Sequence, residues 1–116
     1  MNRQAVELIR PRVMEAVSGT LYVSKLGTDA HGMVPYYENG AVGRQVEFIV
    51  KPSYGKSWEY LTTLTIDDLN RALSVHIPKS VFEGDLGLNA TATVSYIIKD
   101  FGNEMESEKL VFDVKE

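Results

Sequence analysis

Aromatic side chains are the residues of this chain best suited to hold a ligand. They cluster in one stretch of the sequence, as Tyr36, Tyr37, Tyr54, Trp58 and Tyr60. Flat rings exposed on a β-sandwich can stack on sugar rings, so Tyr54, Trp58 and Tyr60 are candidate residues for binding a glycan. The more common place for such rings is the core of the sandwich. Tyr54, in the loop at 52–56, is the ring expected to be exposed.

The two histidines do not predict a catalytic or metal site. Such a site needs at least one of them beside a partner carboxylate. His76 alternates with Val75 and Ile77 and is expected to point outward from a strand, whereas His31 adjoins Gly32 in an expected loop. The sequence contains no cysteine, no Gly-x-Ser-x-Gly nucleophile elbow and no phosphate-binding glycine loop. It therefore predicts no catalytic residue, no metal ligand, no cofactor and no enzymatic activity.

Seven carboxylates lie near the expected turns, and such groups can bind calcium, which loop oxygens hold between modules. They are Asp29, Glu38, Asp67, Asp68, Asp85, Asp100 and Glu104. No Asp-x-Asp-x-Asp series accompanies them, and acidic residues commonly form turns. The carboxylates are therefore interpreted as turn residues.

Charge and hydropathy disfavour two classes of partner. The chain of 116 residues carries 12 basic and 16 acidic side chains, a net charge of −4. Its densest basic stretch, Arg3, Arg10 and Arg12, is confined to the beginning of the chain, so neither nucleic acid nor an anionic membrane is expected to bind. No apolar run approaches the ~20 residues of a membrane helix, and residues 1–10 lack a secretory apolar region. An exported domain of this kind would carry its signal upstream.

Short segments with a period of two would position these side chains. They alternate apolar and polar residues and are separated by turn residues, at 20–23, 31–37, 45–50, 57–64, 73–78, 90–98 and 108–114. Brief helical turns are expected at 65–69 and at 79–84, where Ser80 resembles an N-terminal cap. Six or seven strands with hardly any helix favour an antiparallel β-sandwich. The domain is assigned to residues 13–116, after a lead-in or linker segment at 1–12.

The predicted core is formed by the inward positions of the best strands. Two facing layers should bury six side chains against each other, namely Val46, Phe48, Val94, Tyr96, Leu110 and Phe112. Pro35 suggests that its strand lies at an edge.

The order of several short motifs resembles the immunoglobulin-like β-sandwich repeats of large bacterial surface or secreted proteins, the adhesin-like proteins of pseudomonads especially. The motifs are Pro11–Ala16, Gly19–Leu21, Val34–Tyr36, Val42–Phe48, Val75–Pro78, Val94–Tyr96 and Ser107–Leu110. The resemblance spans nearly the whole chain. It implies an immunoglobulin-like fold of about seven strands and no shared catalytic residues.

The same resemblance implies an extracellular or cell-surface location and a non-catalytic module in a longer protein. Such a module acts as a spacer, a display element or a protein-contact domain. Its partners would be neighbouring domains of the same chain, or a host or cell-surface protein or glycan. The alternative from the aromatic residues is a carbohydrate-binding module that uses the region at 54–60.

Overall fold

The computed structural model describes residues 8–35, 42–66, 71–100 and 102–116, with the backbone alone for Asp100. Its strands are β1 (Arg12–Val13), β2 (Ala16–Val17), β3 (Thr20–Tyr22), β4 (Asp29–Val34), β5 (Gln45–Pro52), β6 (Trp58–Thr63), β7 (Leu73–Pro78), β8 (Thr91–Asp100), β9 (Asn103–Glu106) and β10 (Leu110–Lys115). A 3₁₀ turn at Val23–Lys25 follows β3, and helix α1 (Lys79–Glu83) follows β7.

Two sheets divide the strands as in immunoglobulin domains. The small sheet has the order β1–β4–β7, and the large sheet has the order β2–β3–β10–β8–β5–β6, with β9 also paired to β8. All described pairs are antiparallel except β3 with β10, which is parallel. Placing the fifth, eighth and tenth strands together opposite the first, fourth and seventh is the immunoglobulin arrangement. The predicted all-β sandwich is confirmed.

The described residues form ten strands rather than about seven. The difference comes from short strands that the alternation does not reveal, since β1 and β2 contain two residues each and β9 contains four. Part of the predicted lead-in segment also packs on the domain. Leu8 and Pro11 are buried, and Arg12 begins β1.

The predicted core residues are buried, but they lie on one layer rather than on both. Five of the six are almost inaccessible to solvent and Leu110 is half-buried. All six belong to β5, β8 and β10 of the large sheet, where Val50 faces Val94 and Leu110 faces Val94 from the other side. The small sheet covers them with Ala30, Val34, Val75 and Ile77. Ser95 alternates outward from Val94 and Tyr96, yet it is buried on the opposite side of β8.

The closest described approach of the two sheets at a glycine is between Gly32 and Phe48. A Cβ atom placed on Gly32 would lie 2.5 Å from Cζ of the Phe48 ring. Gly32 lies inside strand β4, which agrees with the alternating segment predicted at 31–37 as far as Val34, so the separate expectation of a loop at His31 was wrong. The expectation of an edge strand was also wrong, because β4 is the central strand of its sheet and ends at Val34, just before Pro35.

Helix α1 confirms the expected helical turn at 79–84 but not its cap. Its N-cap residue is Pro78, with no side-chain capping bond, so Ser80 lies inside the helix. The other expected turn, at 65–69, lies mostly outside the described residues. Within the described ranges, no helix combines the length and apolar character needed to span a bilayer.

We expect Gly32→Ala to destabilise the domain by about 1–3 kcal/mol, because the added methyl group must displace the Phe48 ring or separate the sheets. Gly27→Ala is the matched control, since nothing lies within 4 Å of its added Cβ atom. Chemical denaturation of both variants measures the difference. Equal stability of the two variants would contradict the contact between the sheets.

Tyr96 fastens residues 8–11 to the sandwich. Its ring is buried in the core, and its hydroxyl donates a hydrogen bond of 2.7 Å to the carbonyl oxygen of Ile9. The Glu108 N–H donates to the carbonyl oxygen of Leu8 at 3.1 Å. Burial raises the pKa of the Tyr96 hydroxyl to about 12. These two bonds hold the segment before β1 against β8 and the start of β10.

Tyr96→Phe should lower the free energy of unfolding at pH 7 by about 1 kcal/mol, because it leaves the Ile9 carbonyl without its partner. The raised pKa of Tyr96 also predicts alkaline instability. The neutral hydroxyl stabilises the fold below about pH 10, the ordinary tyrosine pKa, and this contribution is lost as pH rises further. Denaturation between pH 9 and about pH 12 should show a shallower decline in Tyr96→Phe than in the wild type. Parallel declines would contradict the role of Tyr96.

Candidate functional site

Strand β6 places two of the three candidate ligand-binding aromatics side by side. Trp58 and Tyr60 are two residues apart, so both side chains lie on the same face of the large sheet. Their rings are parallel within 7°, with centroids 6.3 Å apart. Trp58 is half-buried and packs on the core, whereas Tyr60 is 45% exposed. The pair therefore combines a core contact with a solvent-facing ring.

Tyr54 lies apart from this pair and stabilises a loop. It is 57% exposed, as predicted, but its ring lies so close to Gly87 that a Cβ atom there would be 2.4 Å from it. Its hydroxyl donates to the carbonyl oxygen of Leu88 at 2.7 Å, and its N–H donates to the buried carboxylate of Asp85 at 2.9 Å. Tyr54 thus ties the β5–β6 loop to the α1–β8 loop.

The three aromatic residues proposed as one ligand-binding site therefore lie in two places, with Tyr54 on a loop and Trp58 and Tyr60 on β6. Among the described residues, Tyr54 makes no ring contact with Trp58 or Tyr60. Tyr36 and Tyr37, the other members of the cluster, lie outside the described residues. What remains at β6 is one stacked pair at the edge of the large sheet.

Among the described strands, β6 pairs with β5 alone. Just after β6, the Leu64 N–H donates to the carbonyl oxygen of Arg44 at 2.8 Å, and the Leu64 carbonyl accepts from the Gly43 N–H at 3.0 Å; Gly43 and Arg44 lie just before β5. Because bonded positions alternate along an antiparallel strand, the N–H and C=O groups of Trp58, Tyr60 and Thr62 point toward β5. Those of Glu59, Leu61 and Thr63 consequently point away from the sheet, and no described group pairs with them.

The side chains of β6 leave this edge open to another strand. Leu61 is 51% exposed on the outer face, opposite the side that carries Tyr60. Natural edge strands commonly discourage pairing with charges, prolines or bulges. Between Trp58 and Thr63 the only charged side chain is Glu59. The chemistry that fits the edge is an extended peptide backbone.

The second candidate site is a pair of histidines that the sequence did not bring together. His31 on β4 lies directly opposite His76 on β7. Their ring centroids are 5.1 Å apart and the rings meet edge to face at 64°. His76 points outward as expected, and His31 does so beside it. The pairing of β4 with β7 could not be derived from either segment alone, although both histidines occupy outward positions.

Each histidine has a carboxylate at its Nδ1 atom. Glu15 Oε2 lies 2.6 Å from Nδ1 of His31, and Glu15 Oε1 accepts the His31 backbone N–H at 2.7 Å. Asp29 Oδ2 lies 3.4 Å from Nδ1 of His76. Burial alone would raise the pKa of Glu15, but its hydrogen bonds to the His31 ring and backbone outweigh burial, so that pKa is lowered. Glu15 is therefore an ionised acceptor at neutral pH.

A surface groove of about 370 Å³ adjoins the pair, between the loop after the 3₁₀ turn and the two strands; it is lined by Glu15, Lys25, Leu26, Gly27, Thr28, Asp29, His31 and His76. The Lys25 side chain lies over the Tyr22 ring, with Nζ 5.0 Å from the centroid of that ring. Within the described part of the chain, no three histidine or carboxylate side chains converge as metal ligands.

Glu15→Gln should destabilise the domain by about 1 kcal/mol at pH 7, because it removes a charged acceptor from His31. The lowered pKa of Glu15 means that its contribution is complete above the ordinary glutamate pKa of about 4.3 and is lost as pH falls through the lowered value. Denaturation at pH 7 and at low pH should show the gap from wild type closing. Glu83→Gln, at an exposed position of helix α1, is the control; a gap at pH 7 no larger than that of this control would contradict the assignment.

No protein-family model, curated protein or solved structure matches this chain. Its function is therefore inferred from the open edge of β6 and from the histidine pair.

Proposed function

We propose that the chain is a non-catalytic immunoglobulin-like module of a bacterial surface or secreted protein, acting as a spacer and as a protein-contact domain. The contact that we assign to it is homotypic, between the β6 edges of two copies. The observation that carries this proposal is the row of backbone groups at Glu59, Leu61 and Thr63, with which no residue in the described part of the chain pairs. The location and the modular setting rest on the resemblance of the sequence motifs.

Two copies of β6 complement each other in one antiparallel register. With Leu61 opposite Leu61, Glu59 of each copy lies opposite Thr63 of the other. All three outward residues then exchange hydrogen bonds with their counterparts, which gives six new bonds around a two-fold axis. Tyr60 lies opposite Thr62, an aromatic and β-branched pair that favours strand association.

Charge supports a second copy as the occupant. Glu59 is the only charged side chain of β6, and this register places it opposite a hydroxyl and not opposite another carboxylate. Like charges directly opposite each other would destabilise the pair. The strand is therefore complementary to itself in both hydrogen bonding and charge.

The contact should be weak between isolated domains. One six-residue edge gives a smaller interface than the roughly 1,600 Å² of a standard stable complex. Copies held on one chain or at one surface have a high effective concentration, which strengthens weak contacts. The principal dimensions of 47 × 33 × 24 Å describe an elongated body, which suits a spacer.

The carbohydrate alternative rests on Trp58 and Tyr60 alone, because Tyr54 is tied to the α1–β8 loop. Trp58 is the only tryptophan of the chain, so its fluorescence reports directly on this surface. A saturable change with soluble glycans would favour the alternative, and strand pairing would instead change the signal with protein concentration.

The test uses Leu61, because in the proposed register Leu61 of one copy lies opposite Leu61 of the other. Leu61→Arg and Leu61→Glu each place like charges together at the two-fold axis, so each variant alone should sediment as a monomer at concentrations where the wild type associates. An equimolar mixture of the two should associate again, because the charges are then opposite. Analytical ultracentrifugation measures all four samples.

Leu88→Ser is the matched control, because Leu88 is 82% exposed and belongs to the α1–β8 loop and not to the β6 edge; it should associate as the wild type does. Leu61→Pro is a second variant that should prevent pairing of two β6 edges. The Leu61 N–H makes no bond to β5, so its loss leaves the sheet intact. A wild type that stays monomeric up to millimolar concentration would contradict the proposal. Association that survives Leu61→Arg would contradict it equally.

A further inference from the structure

We propose that His31 and His76 form a binding site for a divalent transition-metal ion of the zinc class, with their Nε2 atoms as the protein ligands. The site lies on the outer face of the small sheet, on the opposite layer from β6. It is independent of the proposed homotypic contact.

The carboxylates lie at the Nδ1 atoms and so leave the Nε2 atoms of His31 and His76 available to a metal ion. An ionised carboxylate only accepts hydrogen bonds, so the 2.6 Å contact with Glu15 requires a proton on Nδ1 of His31. Nε2 of the neutral ring then carries the lone pair that a metal needs. Asp29 lies on the Nδ1 side of His76 at 3.4 Å, an ion-pair distance and not a hydrogen bond. A carboxylate behind each imidazole is the usual outer shell of histidine–metal sites, where it fixes the ring and increases its basicity.

The spacing of the rings fits one shared ion. Zinc binds imidazole nitrogen at about 2.0–2.1 Å with tetrahedral angles, which puts the centroids of two bound rings about 5 Å apart. The observed separation is 5.1 Å. The cross-strand register of β4 and β7 holds the two Cα atoms opposite each other, so binding requires little rearrangement of the backbone.

The surroundings accept a cation from solvent. The side chains of His31 and His76 are 41% and 65% exposed and border the groove. Glu15 and Asp29 supply two negative charges, while the Lys25 ammonium lies over the Tyr22 ring. Because the carboxylates stand at Nδ1, they support the ligands and do not complete a three-residue set. Water would fill the remaining coordination positions.

Calorimetric titration of the whole chain with ZnCl₂ tests the site, together with NMR of the histidine ring protons. We expect one ion per chain, with both ring signals shifting together. His76→Ala should bind at least tenfold more weakly and remain folded, because His76 is exposed. Ser74→Ala, at the exposed position two residues earlier on β7, is the matched control and should bind as the wild type does.

Two results would overturn the proposal. One is the absence of saturable zinc binding at millimolar concentration, and the other is equal affinity in His76→Ala. Mg²⁺ gives a further check, because it prefers oxygen ligands. Failure of Mg²⁺ to displace zinc supports imidazole coordination, and efficient displacement would assign the ion to Glu15 and Asp29 instead.

Discussion

The packing of the Phe48 ring on Gly32 fixes how the two sheets face each other. Only a residue without a side chain lets β4 come so close to the ring, and this contact requires Gly32 of β4 and Phe48 of β5 to point inward. A shift of one residue would turn every side chain of a strand to the other face. With Gly32 inward on β4, its neighbour His31 is outward. With Phe48 inward on β5, the register places Tyr60 opposite it and turns the backbone groups of Leu61 away from the sheet.

Both candidate sites are consequences of this alternation. The histidines pair because β4 and β7 each present an outward imidazole at the same level of the small sheet. The β6 edge is open because no described strand lies beyond it, and its free backbone groups belong to alternate residues. The packed core therefore determines where the histidine pair and the β6 edge lie, although it supplies no reactive group to either of them. Glu15 adds a third constraint, since it joins the segment between β1 and β2 to the His31 ring and backbone.

The sequence predicted what depends on local alternation. Phe48, Val94 and Tyr96 are buried as their spacing indicated, and the division into strands gave the fold class. Gly32 was misinterpreted because a glycine beside a histidine resembles a turn, and only the distant Phe48 explains its place in a strand. The histidine pair and the separation of Tyr54 from Trp58 depend on which strands and loops meet. Such contacts between distant segments are not encoded in the period of any one segment.

Amide hydrogen exchange along β6, followed residue by residue by NMR in dilute protein, tests the proposed open edge most directly. The amides of Tyr60 and Thr62 should exchange slowly because they bond to β5, and those of Glu59, Leu61 and Thr63 should exchange quickly. Raising the protein concentration should slow the second group selectively as copies pair. Uniform protection of all five amides in the dilute domain, or slow exchange at Leu61 and fast exchange at Tyr60, would contradict the register on which the proposed contact rests.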